Sequence, residues 1–330
     1  MRSYCSIFDK NYLFQGLAVF KSLEYSSEPF IFYPLCMDEE SYGLLIKMNL
    51  KNMLPIKLDQ VMTEELSEIQ VHTTKGQFCW VCQPVICQYI LEKLNAEIVI
   101  YLEADSLFFA DPEILLAELG NDSVSLVPHN FSPEFDNTKV AGKFCVQFNA
   151  FRNDDNANKV LEYWKMNCFK YTSQNLVVYP GQTCLDNWIN LFNGVRSLEN
   201  KGAGVAPWNV NRYNVSLKNN QVFVDDRPII FYHFHEYGRY SDGRYELGNY
   251  PFSKQAIKLI YRKYINVIHD VESLVKNIDP HFNYRRNFTE SSPIRNFTKK
   301  HIKIAVYSYI AKIKRIIKGR YNVFPPEYFN

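Results

Sequence analysis

Apolar and polar residues follow two different periods along the first hundred residues of the chain. Clusters of β-branched and aromatic residues predict strands, and apolar residues at helical spacing, as at Leu13, Leu17, Phe20 and Leu23, predict amphipathic helices. The predicted elements are strand 4–8, helix 12–23, strand 30–35, helix 39–48, strand 57–58, helix 84–94 and strand 98–102. Strands that alternate with helices in this way are typical of an α/β protein with a mixed, mainly parallel sheet.

The run Ile98–Leu102 carries no polar residue, which predicts a central strand buried on both faces. The pattern is looser farther along the chain. It predicts strands at 124–127, 145–151 and 229–233, helices at 157–169 and 182–191, and a rigid loop with Gly and Pro at 202–208.

Two carboxylates, Glu103 and Asp105, follow directly after the predicted central strand. Open α/β sheets bind ligands beyond the carboxyl ends of their strands, and residues two apart in extended backbone point the same way. The pair therefore predicts a site for Mg²⁺ or Mn²⁺, ions that commonly also bind phosphate oxygens. The alternative is a strand end capped by two solvated acids.

A pair of histidines, His233 and His235, follows a second apolar strand. Neutral imidazole binds Mn²⁺ well, so one of them is a candidate third ligand, and at least one is expected to be an ordinary half-buried residue. Arg239 and Arg244 lie just downstream, where a basic loop could hold a diphosphate or could simply be solvated.

Charge is distributed unevenly along the chain. Its 330 residues include 37 Lys and Arg against 35 Asp and Glu, so the formal net charge is only +2, which gives no general reason to expect a nucleic-acid partner. Residues 1–250, however, carry a net −9 and residues 251–330 a net +11. We therefore predict an acidic body at 1–250 and a basic, aromatic helical tail at 251–330.

The tail has apolar residues at helical spacing, at Ile302, Val306, Tyr309 and Ile313, among many Lys and Arg. A basic amphipathic helix of this kind favours an anionic membrane surface. The alternative is a helix that packs on the body or on a second subunit. The Ile and Val positions argue against a surface that follows nucleic-acid phosphates.

The eight Cys lie mostly in apolar runs, and a chain of this length needs no disulfide staples, so buried free thiols are predicted. No window reaches the roughly 18 to 20 apolar residues of a membrane-spanning helix. No apolar signal-peptide core follows Met1. We therefore expect a cytoplasmic protein that associates peripherally with the inner face of the membrane through its tail.

An acid-x-acid triplet after a central strand, with a His after a late strand, resembles the metal site of GT-A glycosyltransferases. The chain resembles in particular the retaining bacterial galactosyltransferase and glycogenin-like group, with its lipopolysaccharide-transferase relatives, over about residues 3–245. The segments that carry the resemblance are Phe8-Asp9-Lys10-Asn11-Tyr12, Trp80 with Pro84 at the start of a helix, Glu103-Ala104-Asp105, Phe148-Asn149-Ala150, Tyr179-Pro180-Gly181-Gln182, the loop 202–210, and His235 with Gly238.

The resemblance implies roles for individual residues. The residues implied in binding the nucleotide and the donor sugar are Asp9, Asn11, Lys75, Glu103, Ala104, Asp105, Gln147, Asn149, Arg239 and Arg244. The implied metal ligands are Asp105, Glu103, and His235 in preference to His233. The implied catalytic residue that faces the sugar is Gln182 or Asp186. The chain departs from the family pattern at Glu103, which replaces the first Asp, and at Gly181, which replaces an acid before Gln182.

The function implied is metal-dependent transfer of a sugar, with retention, from a UDP- or GDP-linked donor. Mn²⁺ or Mg²⁺ is the implied cofactor, and the acceptor is a glycan, lipid-linked or part of a surface polysaccharide. Two alternatives stay open: a sugar nucleotidyltransferase, and an inactive nucleotide-sugar-binding protein on the same fold. The segment around Asp9 lacks the Gly-rich basic loop of nucleotidyltransferases, which favours the transferase.

Overall fold

A mixed sheet of eight strands forms the centre of the protein. The structure, a computed structural model, describes residues 1–173, 180–240, 242–282, 287–288 and 312–329. The strands of this sheet are β1 (Arg2–Phe8), β2 (Phe30–Cys36), β3 (Ile56–Lys57), β4 (Ile98–Leu102), β6 (Val124–Pro128), β7 (Phe144–Cys145), β8 (Phe148–Arg152) and β9 (Val195–Ser197). Their order is β3-β2-β1-β4-β8-β6-β7, with β9 beside β6.

The strands β1 to β4 are parallel to one another, as are β6 and β9, whereas β8 runs antiparallel to both β4 and β6. The predicted fold class, a mixed and mainly parallel α/β sheet flanked by helices, is confirmed. The remaining strands form small sheets around it: β5 (Ser106–Phe108), β10 (Val215–Lys218), β11 (Gln221–Val224), β12 (Arg227–Pro228), β13 (Phe231–His233), β14 (Gly238–Tyr240), β15 (Tyr245–Glu246), β16 (Asn287–Phe288) and β17 (Val323–Phe324).

Helices cover both faces of the sheet, and their bounds are α1 (Leu13–Ser22), α2 (Glu39–Met48), α3 (Glu64–Val71), α4 (Lys75–Lys93), α5 (Glu113–Leu119), α6 (Thr138–Ala141), α7 (Asp155–Ser173), α8 (Pro180–Thr183), α9 (Trp188–Leu191), α10 (Lys254–Ala256) and α11 (Arg262–Ile278). The central strand β4 alternates between two hydrophobic clusters. Ile98 and Ile100 pack on one face, and Val99 and Tyr101 pack on the other. The prediction that this strand is buried on both faces is confirmed.

Helix α4 begins nine residues before the predicted start at Pro84. Thr74 and Gln77 form a capping box, in which each side chain bonds the backbone of the other, and this fixes the helix start. Pro84 therefore lies inside the helix and offers no N–H to the carbonyl of Trp80. The thiol of Cys168 in α7 lies 3.8 Å from that carbonyl and donates to it instead. The prediction that Pro84 opens the helix is wrong.

Three other predicted elements have different bounds in the structure: two are divided and one is shorter. The single strand predicted at 145–151 is two strands, β7 and β8, and the strand predicted at 229–233 is the shorter β13. The helix predicted at 182–191 is α8, a 3-10 turn over Cys184–Asn187, and α9. Apolar spacing signals burial in all of these segments, and the tertiary contacts decide where each element stops.

The first part of the tail packs into the core of the body. Tyr261, just before α11, and Tyr264, in its first turn, are fully buried in the same hydrophobic cluster as Ile100 of β4 and Leu107 of β5. Ile302, Val306 and Tyr309, which carry the predicted helix of the tail, lie outside the described residues. Across the described ranges, the longest apolar stretches of helix are too short or too polar to cross a bilayer. None of the eight Cys, all of which lie in the described residues, forms a disulfide, and seven are buried, which confirms the prediction of buried thiols.

Candidate active site

The sheet order creates a cleft at the carboxyl ends of β1 and β4. These two strands are neighbours in the sheet. The chain continues from β1 to β2 on one side of this pair and from β4 to β6 and β8 on the other, and open α/β sheets bind ligands at such a point in the strand order. The cleft has a volume of about 750 Å³. Of the residues predicted for the site, it is lined by Asp9, Lys75, Glu103, Ala104, Asp105, Gln182, His233 and His235.

Backbone pairing brings the carboxylates and the histidines together. The strand β5, which follows Asp105, pairs antiparallel with β13, so that Ser106 lies opposite His233. The N–H of Phe234 donates to the carbonyl of Asp105 at 2.7 Å, and the N–H of Glu103 donates to the carbonyl of Gln147 at 3.4 Å. Segments far apart in sequence are therefore held in a fixed register at the bottom of the cleft.

Asp105, His233 and Gln147 form a buried hydrogen-bonded chain. Nε2 of His233 lies 3.1 Å from Oδ1 of Asp105, and Nδ1 of His233 lies 3.1 Å from Oε1 of Gln147. Both oxygens are acceptors, so a doubly protonated imidazole fits the site. Burial would lower the pKa of His233, but the charge and hydrogen bond of Asp105 outweigh burial and hold the pKa well above its ordinary value.

Glu103 is the second carboxylate of the cleft, and its environment disfavours a negative charge. Burial, with the neighbouring charge of Asp105, raises the pKa of Glu103 to about 8. Nε2 of Gln83 in α4 donates to Oε1 of Glu103 at 3.0 Å. Gln83 is also 3.2 Å from the hydroxyl of Tyr101, so it connects the acid to the central strand. Sequence reasoning missed Gln83, which carries no motif.

The donor chemistry of the cleft fits a divalent cation. Two adjacent carboxylates repel each other, as the raised pKa of Glu103 shows, and a cation between them would remove that repulsion. Carboxylate oxygens and imidazole nitrogens are ligands of Mn²⁺. As the described side chains stand, however, no three His, Cys, Asp or Glu among them are spaced to hold a metal ion.

The N-terminal part of α4 and the end of β1 form one wall of the cleft. Lys75, Cys79 and Trp80 line it from the helix. Asp9 lines it from the strand, and its two carboxylate oxygens accept the backbone N–H and the side-chain N–H₂ of Asn11 at 2.9 and 2.8 Å. Asn11 thus orients Asp9 and does not line the cleft itself.

Aromatic side chains form the opposite wall. The ring of Trp208 lies 5.3 Å from His233 and 5.5 Å from His235, centre to centre, and its indole N–H donates to the carbonyl of His129. Phe131 stacks on His129 at 4.5 Å. The loop that carries Trp208 is part of the family resemblance found in the sequence. His129 and Phe131 were not predicted, because they lie at no regular sequence spacing from Glu103 and Asp105.

Cys145 lies in the same wall, between His129 and His233. Burial would raise the pKa of its thiol, but the two histidines outweigh burial and lower the pKa to about 6. The sequence marked Cys145 only as one more buried thiol.

Gly204 allows the backbone of the loop 202–208 to approach the site closely. Its φ is +68°, and a Cβ at this position would come within 2.5 Å of Nε2 of Gln147 and 2.6 Å of a methyl group of Val127. Only glycine fits both the left-handed backbone and this contact. The loop therefore holds Gln147 in place behind His233.

The chain is similar in sequence to two bacterial proteins. It is 28% identical over 273 residues to YfnD of Bacillus subtilis (strain 168), covering 79% of this chain and 87% of that protein. It is 26% identical over 293 residues to YfnF of the same organism, covering 85% of this chain and 96% of that protein. Both relatives are described as uncharacterized. No family model matches the chain.

Solved structures share the fold. The galactosyltransferase LgtC, bound to donor and acceptor sugar analogs, superposes with a TM-score of 0.50 at 14% identity, covering 81% of this chain and 95% of that one. The chain has a GT-A-like fold. The apo glycosyltransferase GlyE of Streptococcus pneumoniae TIGR4 also superposes with a TM-score of 0.50, at 12% identity, covering 84% of this chain and 62% of that one.

Several predicted residues do not line the GT-A-like cleft. Asn149 is buried in β8 and donates to the carbonyl of Ser125 at 3.0 Å. The carboxylate of Asp186 accepts the backbone N–H groups of Lys143 and Phe144. Gln182, one turn earlier, does line the cleft and donates to the carbonyl of Ala141 at 2.8 Å.

The two predicted arginines also lie away from the GT-A-like cleft. Arg239 in β14 forms an ion pair with Glu272 of α11 at 2.9 Å, and Arg244 contacts Asp242 at 2.7 Å. Each guanidinium also stacks over a tyrosine ring, that of Tyr245 for Arg239. In this arrangement both arginines are held on the side of the protein where the tail docks.

Proposed function

We propose that this protein is a metal-dependent glycosyltransferase that moves a sugar from a nucleotide-diphospho-sugar to a glycan acceptor with retention. The observation that carries the proposal is the convergence of Asp9, Glu103, Asp105, His233 and His235 on one cleft at the ends of β1 and β4. The GT-A-like fold supports it, because the solved structures with this fold include glycosyltransferases. The fold by itself does not define the activity.

The donor is proposed to lie along the wall made by β1 and α4. Asp9, oriented by Asn11, faces the nucleoside, and Lys75 faces the phosphates at the N-terminus of α4. The positive end of this 19-residue helix and the ammonium group both favour a diphosphate at that point. A screen of UDP- and GDP-sugars distinguishes a uracil base from a guanine base.

Asp105, Glu103 and His235 are the proposed metal ligands, with His233 as the alternative to His235. His233 is already bonded to Asp105 and to Gln147, which favours His235 for direct ligation. A bound Mn²⁺ or Mg²⁺ would neutralise the charge that develops on the diphosphate leaving group.

Gln182 is the proposed polar group beside the anomeric carbon. It lines the cleft, whereas Asp186 holds the backbone of Lys143 and Phe144. Glycosyl transfer passes through an oxocarbenium-like state, so a neutral amide oxygen near the sugar stabilises developing positive charge. Retention is carried by the family resemblance and is tested separately by the configuration of the product.

The acceptor is proposed to be a lipid-linked or surface glycan. The basic tail would hold the enzyme at the inner face of an anionic membrane, in the cytoplasm. Support for this part comes from the net +11 of residues 251–330. It is tested by sedimentation of the full chain with anionic and with neutral vesicles at low salt.

The proposed activity is tested by a screen of UDP- and GDP-sugars for hydrolysis with Mn²⁺, Mg²⁺ or EDTA. We expect one donor to be hydrolysed in a reaction that EDTA abolishes, and Asp105→Asn to lower its rate by about 100-fold or more. Asp226→Asn is the matched control, because Asp226 is an exposed acid in the turn before β12 and makes only a 3.7 Å ion pair. Its rate should match that of the wild-type protein.

Other outcomes separate the alternatives. Tight binding of a nucleotide-sugar without hydrolysis or transfer would identify a binding protein. Formation of a nucleotide-sugar from a nucleoside triphosphate and a sugar phosphate would identify a nucleotidyltransferase. If no nucleotide-sugar is bound or hydrolysed, the proposed function is wrong.

A further inference from the structure

The C-terminal segment 312–329 docks beside the cleft through a buried ion pair. The guanidinium of Arg315 bonds both carboxylate oxygens of Glu246, at 2.7 and 3.1 Å, and Glu246 is only 4% exposed. Bidentate pairs of this kind fix direction as well as distance. Because removal of one partner would leave a buried charge, this contact holds the segment firmly.

The segment also forms a strand and fills part of the core. β17 pairs antiparallel with β15, so that Val323 lies opposite Glu246. Phe329 is 2% exposed, and its ring lies 5.4 Å from that of Tyr245. The last described residues of the tail are therefore an integral part of the body.

Two contacts connect this segment to side chains that line the cleft. Nδ2 of Asn322 donates to the carbonyls of Gly248 and Tyr250 at 3.0 and 2.5 Å. The guanidinium of Arg320 lies 4.4 Å from the centre of the ring of Phe135. Tyr250 and Phe135 both line the cleft, with their ring centres 5.1 Å apart.

The wall that Phe135 and Tyr250 line differs from the wall made by β1 and α4. Trp208 and Phe131 lie on the same wall, so flat aromatic faces dominate there. Aromatic faces suit the C–H faces of a sugar ring, whereas the carboxylates and Lys75 suit a charged diphosphate and its cation. The aromatic wall and the charged groups of the cleft thus match different parts of the proposed reaction.

We propose that the C-terminal segment positions the aromatic wall and so sets the affinity for the acceptor sugar, with Asn322 and Arg320 as positioning residues. This inference rests on the proposed function and extends it to a role for part of the tail. Asn322 fixes the backbone at Tyr250 and Arg320 fixes the ring of Phe135. Neither residue lines the cleft itself.

The test compares Arg320→Ala and Asn322→Ala with Lys318→Ala. Lys318 is an exposed cation in the turn that precedes Arg320, so its loss removes the same charge without touching the wall. Two rates are measured for each variant: donor hydrolysis without acceptor, and transfer to a panel of methyl and p-nitrophenyl hexosides. We expect the KM for the hexoside to rise about threefold in Arg320→Ala and more in Asn322→Ala, with kcat and donor hydrolysis unchanged.

Lys318→Ala should match the wild-type protein in both assays. The inference is overturned if Arg320→Ala and Asn322→Ala also match it, or if donor hydrolysis falls as much as transfer does. A wild-type protein that hydrolyses its donor but transfers to none of the hexosides also counts against it. Should Asn322→Ala fail to fold, Arg320→Ala decides alone, because its side chain contacts the wall from the surface. A wild-type protein that neither binds nor hydrolyses a nucleotide-sugar refutes the proposed function instead.

Discussion

Replacing Gly204 by alanine should disturb the packing around Gln147, behind the candidate active-site cleft. The left-handed backbone at this position, with φ of +68°, costs an alanine about 1 to 2 kcal/mol. The added Cβ would come within 2.5 Å of Nε2 of Gln147, and overpacking of this kind costs about 1 to 3 kcal/mol. We therefore expect a loss of about 3 kcal/mol in the free energy of unfolding.

For a chain of 330 residues, that loss lowers the Tm by about 4 °C. The assay is thermal unfolding followed by circular dichroism, with Gly43→Ala as the control. Gly43 lies inside α2, and nothing approaches within 4 Å of its added Cβ, so alanine there should leave the Tm unchanged or raise it slightly. If both variants unfold within about 1 °C of the wild-type protein, the close-packing argument for Gly204 is wrong.

Two further predictions concern stability and thiol reactivity. Asp38 caps α2 by accepting the N–H of Ser41 at 2.7 Å and also accepts the N–H of Lys10. Asp38→Ala should therefore cost about 1 to 2 kcal/mol in urea unfolding, and an unchanged midpoint would contradict this. Burial alone would raise the pKa of Asp38, but hydrogen bonds from the hydroxyl of Ser41 and from the N–H groups of Lys10 and Ser41 lower it. The contribution of Asp38 to the free energy of unfolding should therefore be present above the unfolded pKa and lost as the pH falls through the folded pKa. Burial raises the pKa of Cys79 and of Cys36 to about 12. Because the thiolate is the reactive form, iodoacetamide at pH 8 should alkylate neither thiol until the chain is unfolded. Fast labelling of Cys79 in the native protein, measured by mass spectrometry, would refute this.

Much of the fold is predictable because local signals and tertiary structure agree. The bounds of α2 and β4 are as predicted, since a capped amphipathic run and an uninterrupted apolar run each have one stable solution. The start of α4 was missed although its capping box, Thr74 with Gln77, is visible in the sequence. A proline is typical of the first helical position, so Pro84 predicts a later start, and in the structure the thiol of Cys168 bonds the carbonyl that Pro84 cannot.

The antiparallel insertion of β8 between β4 and β6 was not predictable from the sequence. Hydrophobic spacing shows that a strand is buried but not which neighbour it pairs with. The sequence left packing of the tail on the body open beside contact with a membrane surface, because a basic amphipathic helix has the same pattern whether its apolar face meets protein or lipid. The structure shows that Tyr261 and Tyr264 are buried in the body.

The candidate site was partly predictable because its acids follow the ends of strands. Glu103, Asp105 and the two histidines could be found from strand ends, and the structure brings them into one cleft. Gln83 and Trp208 join them through contacts between distant segments, which no spacing in the sequence encodes.

The most direct test of the central claim is Mn²⁺ binding measured by electron paramagnetic resonance in the presence of UDP or GDP. The account predicts that the wild-type protein and Asp226→Asn each bind a single Mn²⁺ ion per chain with one of the two nucleotides, and that Asp105→Asn binds none at the same concentration. If the wild-type protein binds no Mn²⁺ with either nucleotide, or if Asp105→Asn binds it as tightly as the wild-type protein does, the assignment of the cleft as a metal and nucleotide-sugar site is wrong.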